Sequence, residues 1–140
     1  MTVKLLLSDR RFSIDRRRLK TLVKMVMGKE SARNRGVNIV YCTDKLIKEL
    51  NARYLNKNLV TDVLAFELKD SGDGGFLGEV YVNLQQARRQ ALENGVNYRE
   101  EVERLTVHGV LHLLGYGDRD KEKRRKMWIR QESYLNRWKK

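Results

Sequence analysis

Up to Asn83 the chain alternates short apolar runs with amphipathic segments; beyond it every stretch has helical spacing. Val3 to Ser8 is a brief apolar run without helix caps and predicts a buried strand. Asp15 is placed to cap a helix with Leu19, Leu22, Val23 and Val26 on one face and Arg16, Arg17, Lys20 and Lys24 on the other. Gly28 to Gly36 is polar and basic and predicts a loop. Val37 to Cys42, rich in β-branched residues, predicts a second strand. Thr43 opens a helix carrying Leu46, Ile47 and Leu50, and Asn51 to Thr61 has no clear period and predicts a long connection. Val63 to Phe66 and Gly78 to Asn83 predict two more strands. Between them Ser71-Gly72-Asp73-Gly74-Gly75 predicts a hairpin tip, since glycine supplies the φ > 0 conformations of a tight reversal. Three helices follow: Leu84 to Asn94, Tyr98 to Leu114, and Lys121 to about Lys139, with Gly95 and Gly115 as C-terminal caps. Strands early and helices late define an α+β domain.

The 140 residues suit a single domain spanning 1–140. Thirty Lys and Arg against eighteen Asp and Glu leave a formal charge of +12, which makes nucleic acid the first partner to consider. Charge does not say which nucleic acid, or whether it is cut. The lone Cys42 excludes an intrachain disulfide and, inside an apolar run, reads as a buried inert thiol. Asp9, Arg10 and Arg11 cut the first apolar run too short for a signal peptide or membrane span, so a cytoplasmic protein without membrane contact is expected.

The chemistry concentrates between Leu105 and Asp120. The chain's two histidines, His108 and His112, stand four apart on an otherwise apolar helix. That spacing stacks two imidazoles about 6 Å apart along the axis, where both can hold one ion. Gly115 can end the helix and let Tyr116-Gly117 swing Asp118 back toward the histidines as a third ligand. Asp120 is the rival, but it also stands where the N-cap of the last helix belongs; Asp118 is preferred as ligand and Asp120 as cap. Two imidazoles and one carboxylate leave a tetrahedral position open for water. A metal there lowers the pKa of its bound water toward ~7 and stabilises charge on a phosphoryl oxygen. Gly109 occupies the position of a zinc protease's glutamate base, which argues against peptide hydrolysis. A phosphodiester is already polarised and fits the positive charge.

The run His108-Gly109-Val110-Leu111-His112-Leu113-Leu114-Gly115-Tyr116 resembles the signature of the YbeY family, bacterial endoribonucleases that act in rRNA maturation. Leu50-Asn51 with Tyr54, Thr61-Asp62-Val63-Leu64-Ala65-Phe66, and Leu77-Gly78-Glu79-Val80 are similar to its other blocks, in order and spacing. The resemblance implies an α+β fold with a small four-stranded mixed sheet, and a zinc-type site for one divalent metal. It further implies a basic groove for single-stranded ribosomal RNA, with the ribosomal subunit as a partner in quality control. Three departures stand out: Asp118 replaces the family's third histidine, Leu55 replaces an arginine after the tyrosine, and Val60 replaces a proline. Arg53 is the neighbouring candidate to replace the lost arginine, and Arg88, Arg89 and Lys121 to Lys126 are further candidates to track phosphate. Zinc is the favoured metal, with nickel and iron also suited to a His2Asp set. Two functions are therefore carried forward. One is a metal-dependent, single-strand-specific endoribonuclease in which bound water attacks the phosphodiester. The other is a metal-stabilised RNA-binding ribosome assembly factor without strong nuclease activity.

Overall fold

A computed structural model describes residues 2–68 and 75–139. The glycine-rich reversal expected at Ser71 to Gly75 falls, apart from Gly75, outside the described residues. The elements run β1 (Thr2–Leu7), α1 (Arg16–Lys29), β2 (Gly36–Cys42), α2 (Asp44–Tyr54), β3 (Val63–Glu67), β4 (Phe76–Asn83), α3 (Leu84–Asn94), α4 (Tyr98–Leu113) and α5 (Lys121–Lys139). The sheet has the order β1-β2-β4-β3, with β3 antiparallel to β4 and the other pairs parallel, so the mixed four-stranded sheet is observed.

Strand alternation sends Val37, Ile39, Tyr41, Val80 and Val82 into the main core with α1 and α4. The intervening Val40, Leu64, Phe66 and Tyr81 join Ile47 of α2 in a smaller cluster. The helix with the histidines thus covers one face of the sheet, and α2 covers the other. Cys42 lies in the smaller cluster, where burial and then the Asp44 carboxylate push its thiol up to about 12, in keeping with an inert side chain.

Several boundaries differ from the sequence pattern. The first strand is not buried along its length: Val3 is, but Leu6 is 55 % exposed, because β1 is an edge strand covered on one face. Gly28 lies inside α1, which Asp15 caps by accepting from the Arg18 N–H. Helix α2 continues to Tyr54, past the Asn51 where a connection was expected. Asn51 is buried and donates to the Leu59 carbonyl (2.9 Å), so its polarity serves the loop that follows rather than ending the helix. Thr43 makes no side-chain cap; the Asp44 N–H is taken instead by Gln85 Oε1 at 2.9 Å. No helix among the described residues is long and apolar enough to cross a membrane.

What sets α4 on the sheet is a missing side chain. A Cβ built at Gly109 would lie 2.3 Å from Val80 Cγ1 and 3.1 Å from Val63 Cγ2. Any larger residue must lift the helix off β3 and β4. Gly109→Ala is expected to lower the unfolding free energy by about 1–3 kcal/mol, the usual cost of overpacking a core, measured by denaturant titration.

Candidate metal centre

Both histidines project from the last two turns of α4, on the flank toward α5 and the start of β3. Their ring centroids lie 4.8 Å apart in an edge-on arrangement. Gly115, at φ 104°, ends the helix in a Schellman turn: the Tyr116 N–H donates to the Leu111 carbonyl (3.0 Å) and the Gly115 N–H to that of His112 (3.1 Å). This reversal returns Asp118 to the histidines, with its Oδ2 3.6 Å from His112 Nε2. Two ligands sharing a tetrahedral ion at bonds of about 2.0–2.2 Å lie roughly 3.4 Å apart, so the spacing is close to that of co-ligands. Asp120 acts elsewhere. Its Oδ1 accepts from the Lys123 N–H at 2.8 Å, capping α5.

The donor set fits a divalent metal through its histidines. Among the described residues no three His, Cys, Asp or Glu side chains converge into a complete ligand cluster. Asp118 stands on an exposed turn, its side chain 58 % accessible, and would have to close on the ion. The imidazoles are better prepared. Burial first, and then the neighbouring His108, hold the His112 pKa below its ordinary value, against the opposing pull of Asp118, a Tyr116 backbone hydrogen bond and Asp62. A neutral ring is the form that binds metal.

His108 is oriented by Gln131 of α5, a residue that carries no signal of its own in the sequence. Its Nδ1 lies 2.7 Å from Gln131 Oε1. The Gln131 Nε2 donates to Glu132 Oε2 at 3.0 Å, which fixes the amide so that its oxygen faces the imidazole. Nδ1 must then carry the proton, and Nε2 keeps a lone pair for a ligand. Burial would raise the Glu132 carboxyl, but hydrogen bonds from Arg104 and Gln131 outweigh it and hold the pKa below its usual value. Arg104 donates to Glu132 (2.9 Å) and to Glu101 (3.0 Å), so the orienting chain is tied to α4 itself. A second brace holds the turn: Tyr116 and Tyr134 both donate to Glu30, at the end of α1.

Two clefts flank the pair. One, of about 520 Å³, is lined by His112, Asp118, Glu67, Arg119, Lys123 and Lys126. The other, of about 400 Å³, reaches His108 past Asp62, Asn94, Trp128 and Gln131. Asp62 therefore lies beside the histidine-bearing helix. Its turn is held by Asn83, which donates from Nδ2 to the Thr61 carbonyl (3.1 Å) and from its backbone N–H to that of Asp62 (2.8 Å). Thr61 and Asp62 side chains contribute only a 3.5 Å contact with each other.

The other arginine candidates are placed differently. Arg89 is bound to Asp44 at 2.7 Å, and the Arg88 guanidinium covers the Phe12 ring at 4.5 Å. Neither lines a cleft beside the histidines, because both are engaged in holding α3 to its neighbours. Arg53 is exposed on the last turn of α2, the helix on the opposite face of the sheet. Tyr54 beside it meets Phe66 edge-on at 5.7 Å yet remains 61 % exposed, so packing accounts for only part of its surface. Of the basic run in α5, Lys123 and Lys126 do reach the cleft.

The fold is shared with a protein of solved structure. The solution structure of a Thermotoga maritima protein matches it with a TM-score of 0.69 at 25% identity, over 98% of this chain and 89% of that one. The family model described as Endoribonuclease YbeY matches residues 6–139. The Endoribonuclease YbeY of Chlorobaculum tepidum is 33% identical over 125 residues, 89% of this chain and 90% of that protein. That of Carboxydothermus hydrogenoformans is 41% identical over 107 residues, covering 76% and 75%. The chain belongs to the YbeY family.

Gln131→Ala, which frees the His108 ring to rotate and change tautomer, is expected to weaken zinc binding about 10–100-fold in a competition titration. The circular dichroism of the variant should remain that of the wild type.

Proposed function

We propose that this chain is a metal-dependent endoribonuclease acting on single-stranded RNA, with ribosomal RNA the substrate in the cell. The observation that carries this reading is the His108–His112 pair, oriented for ligation by Gln131 and opening onto a cleft with three cations. Membership of a family named for endoribonuclease activity supports the same reaction class. His108, His112 and Asp118 would hold one divalent ion, zinc being favoured and nickel suited to the same donors. Such an ion supplies Lewis acidity toward a phosphoryl oxygen and lowers the pKa of water.

The protein's own groups do the rest. Arg119, Lys123 and Lys126 attract and seat the phosphate backbone beside His112. Gln131 keeps His108 in one tautomer. The partial burial of His112 keeps that ring neutral and ready to bind. Gly109 leaves no side chain between the histidines and the sheet, so no carboxylate base of the metalloprotease kind can sit there.

A second reading, an RNA-binding ribosome assembly factor stabilised by metal, is favoured by one observation. Asp118 is exposed and no complete three-donor cluster exists among the described residues. Single-stranded RNA incubated with the purified protein separates the two. Cleavage is expected, to be abolished by a chelator and by His112→Ala while RNA binding in a filter assay survives. RNA binding without cleavage by metal-loaded wild type would leave the assembly factor as the function. Elemental analysis should find about one metal per chain, lost in His112→Ala and reduced in Asp118→Ala.

A further inference from the structure

We infer that Trp128 is a base-stacking platform, forming with the hollow beside His108 the subsite for a nucleobase next to the phosphate under attack. The inference rests on the endoribonuclease reading and names where that substrate's base goes.

The chain has two tryptophans, and they are treated oppositely. Trp138 lies against the main core with the Arg18 guanidinium over its ring at 4.8 Å. Trp128 is 56 % exposed although α5 has a buried face on which so large an apolar side chain would pack. It is also placed by the site. Gln131, one turn along the same helix, accepts from His108 at 2.7 Å, and Trp128 lines the hollow of about 400 Å³ that reaches that histidine. Leu105 makes part of the wall, and Asn94 stands with Asp62 in the same lining.

The two clefts meet at the histidine pair: His108 lines the hollow and His112 lines the cationic cleft. A strand whose phosphates lie along Lys123 and Lys126 continues past the pair toward Trp128, two residues after Lys126 on the same helix. There the accessible surface is mainly apolar, with Val96, Leu105 and Trp128 in the lining, although Asp62, Glu101, Arg104 and Glu132 also border the hollow. Such a surface beside a cationic cleft matches a nucleotide, which has an anionic backbone and a flat base with polar edges. Stacking accepts any base, so the subsite should discriminate weakly among the four. Stacking also requires an unpaired base, which gives a physical source for preference toward single strands.

The test uses metal-loaded full-length protein and a single-stranded RNA with one cleavage site, made intact and with an abasic residue beside that site. Wild type, Trp128→Ala and Trp128→Phe are compared for KM, kcat and filter binding. On intact RNA, Trp128→Ala is expected to raise KM about tenfold or more, with Trp128→Phe recovering most of the loss. Removing the base should weaken wild type similarly but leave Trp128→Ala unchanged, a coupling that a merely structural role for the indole would not produce. Wild-type KM in Trp128→Ala, or equal weakening on both RNAs, overturns the subsite while cleavage itself stands. If wild type neither cleaves nor binds the intact RNA, the endoribonuclease reading fails and the subsite fails with it.

Discussion

The backbone of α4 touches the sheet at Gly109, and the rest of the site follows from that contact. With no Cβ to hold it off, the helix settles onto Val80 and Val63, and the residues on either side of the glycine are forced to particular directions. His108 and His112 are turned to the flank, between β3 and α5, rather than into the core. Close packing also means that small shifts of the sheet are passed to the rings, since interiors at crystal-like density have little slack. The same glycine that removes a protease's base makes room for the helix that carries the histidines.

The second determinant is polar. An unbroken path of side-chain hydrogen bonds runs from His108 through Gln131, Glu132, Arg104, Glu101, Gln90 and Gln86 to Arg89 and Asp44. Its members come from α2, α3, α4 and α5, so the orientation of one imidazole is coupled to the packing of four helices. Arg89 thus bears on the histidine pair from a distance, through this network. Asn83 links in as well. Its Nδ2 donates to Asp44 (2.8 Å) while its Oδ1 accepts from the first N–H groups of α3.

Much of this was legible in the chain. Strand and helix order, the Asp15 and Asp120 caps, and the turn at Gly115 that returns Asp118 all follow from local pattern, because caps and glycine turns are decided by residues close in sequence. The edge position of β1 was not legible, because an apolar run looks the same whether one face is covered or two. Nor was the end of α2, where Asn51 is buried for the sake of a loop bond eight residues away. Gln131 read as an ordinary helix-face residue; its partner is 23 positions earlier, and no period announces such a pair. The ion pair of Arg89 with Asp44 and the exposure of Trp128 were not legible for the same reason, since charge and aromaticity do not reveal what stands opposite.

Glu30 gives the arrangement a direction in time. It receives the hydroxyls of Tyr116 and Tyr134, residues 86 and 104 positions further along the chain. Closing loops of that length carries an entropic cost that local contacts do not, so these bonds form after the helices they join. A nascent chain that has delivered both histidines but not α5 therefore has neither Gln131 to orient His108 nor Tyr134 to secure the turn bearing Asp118. The histidines are synthesised before the groups that align them, and their arrangement is complete only as the last helix docks.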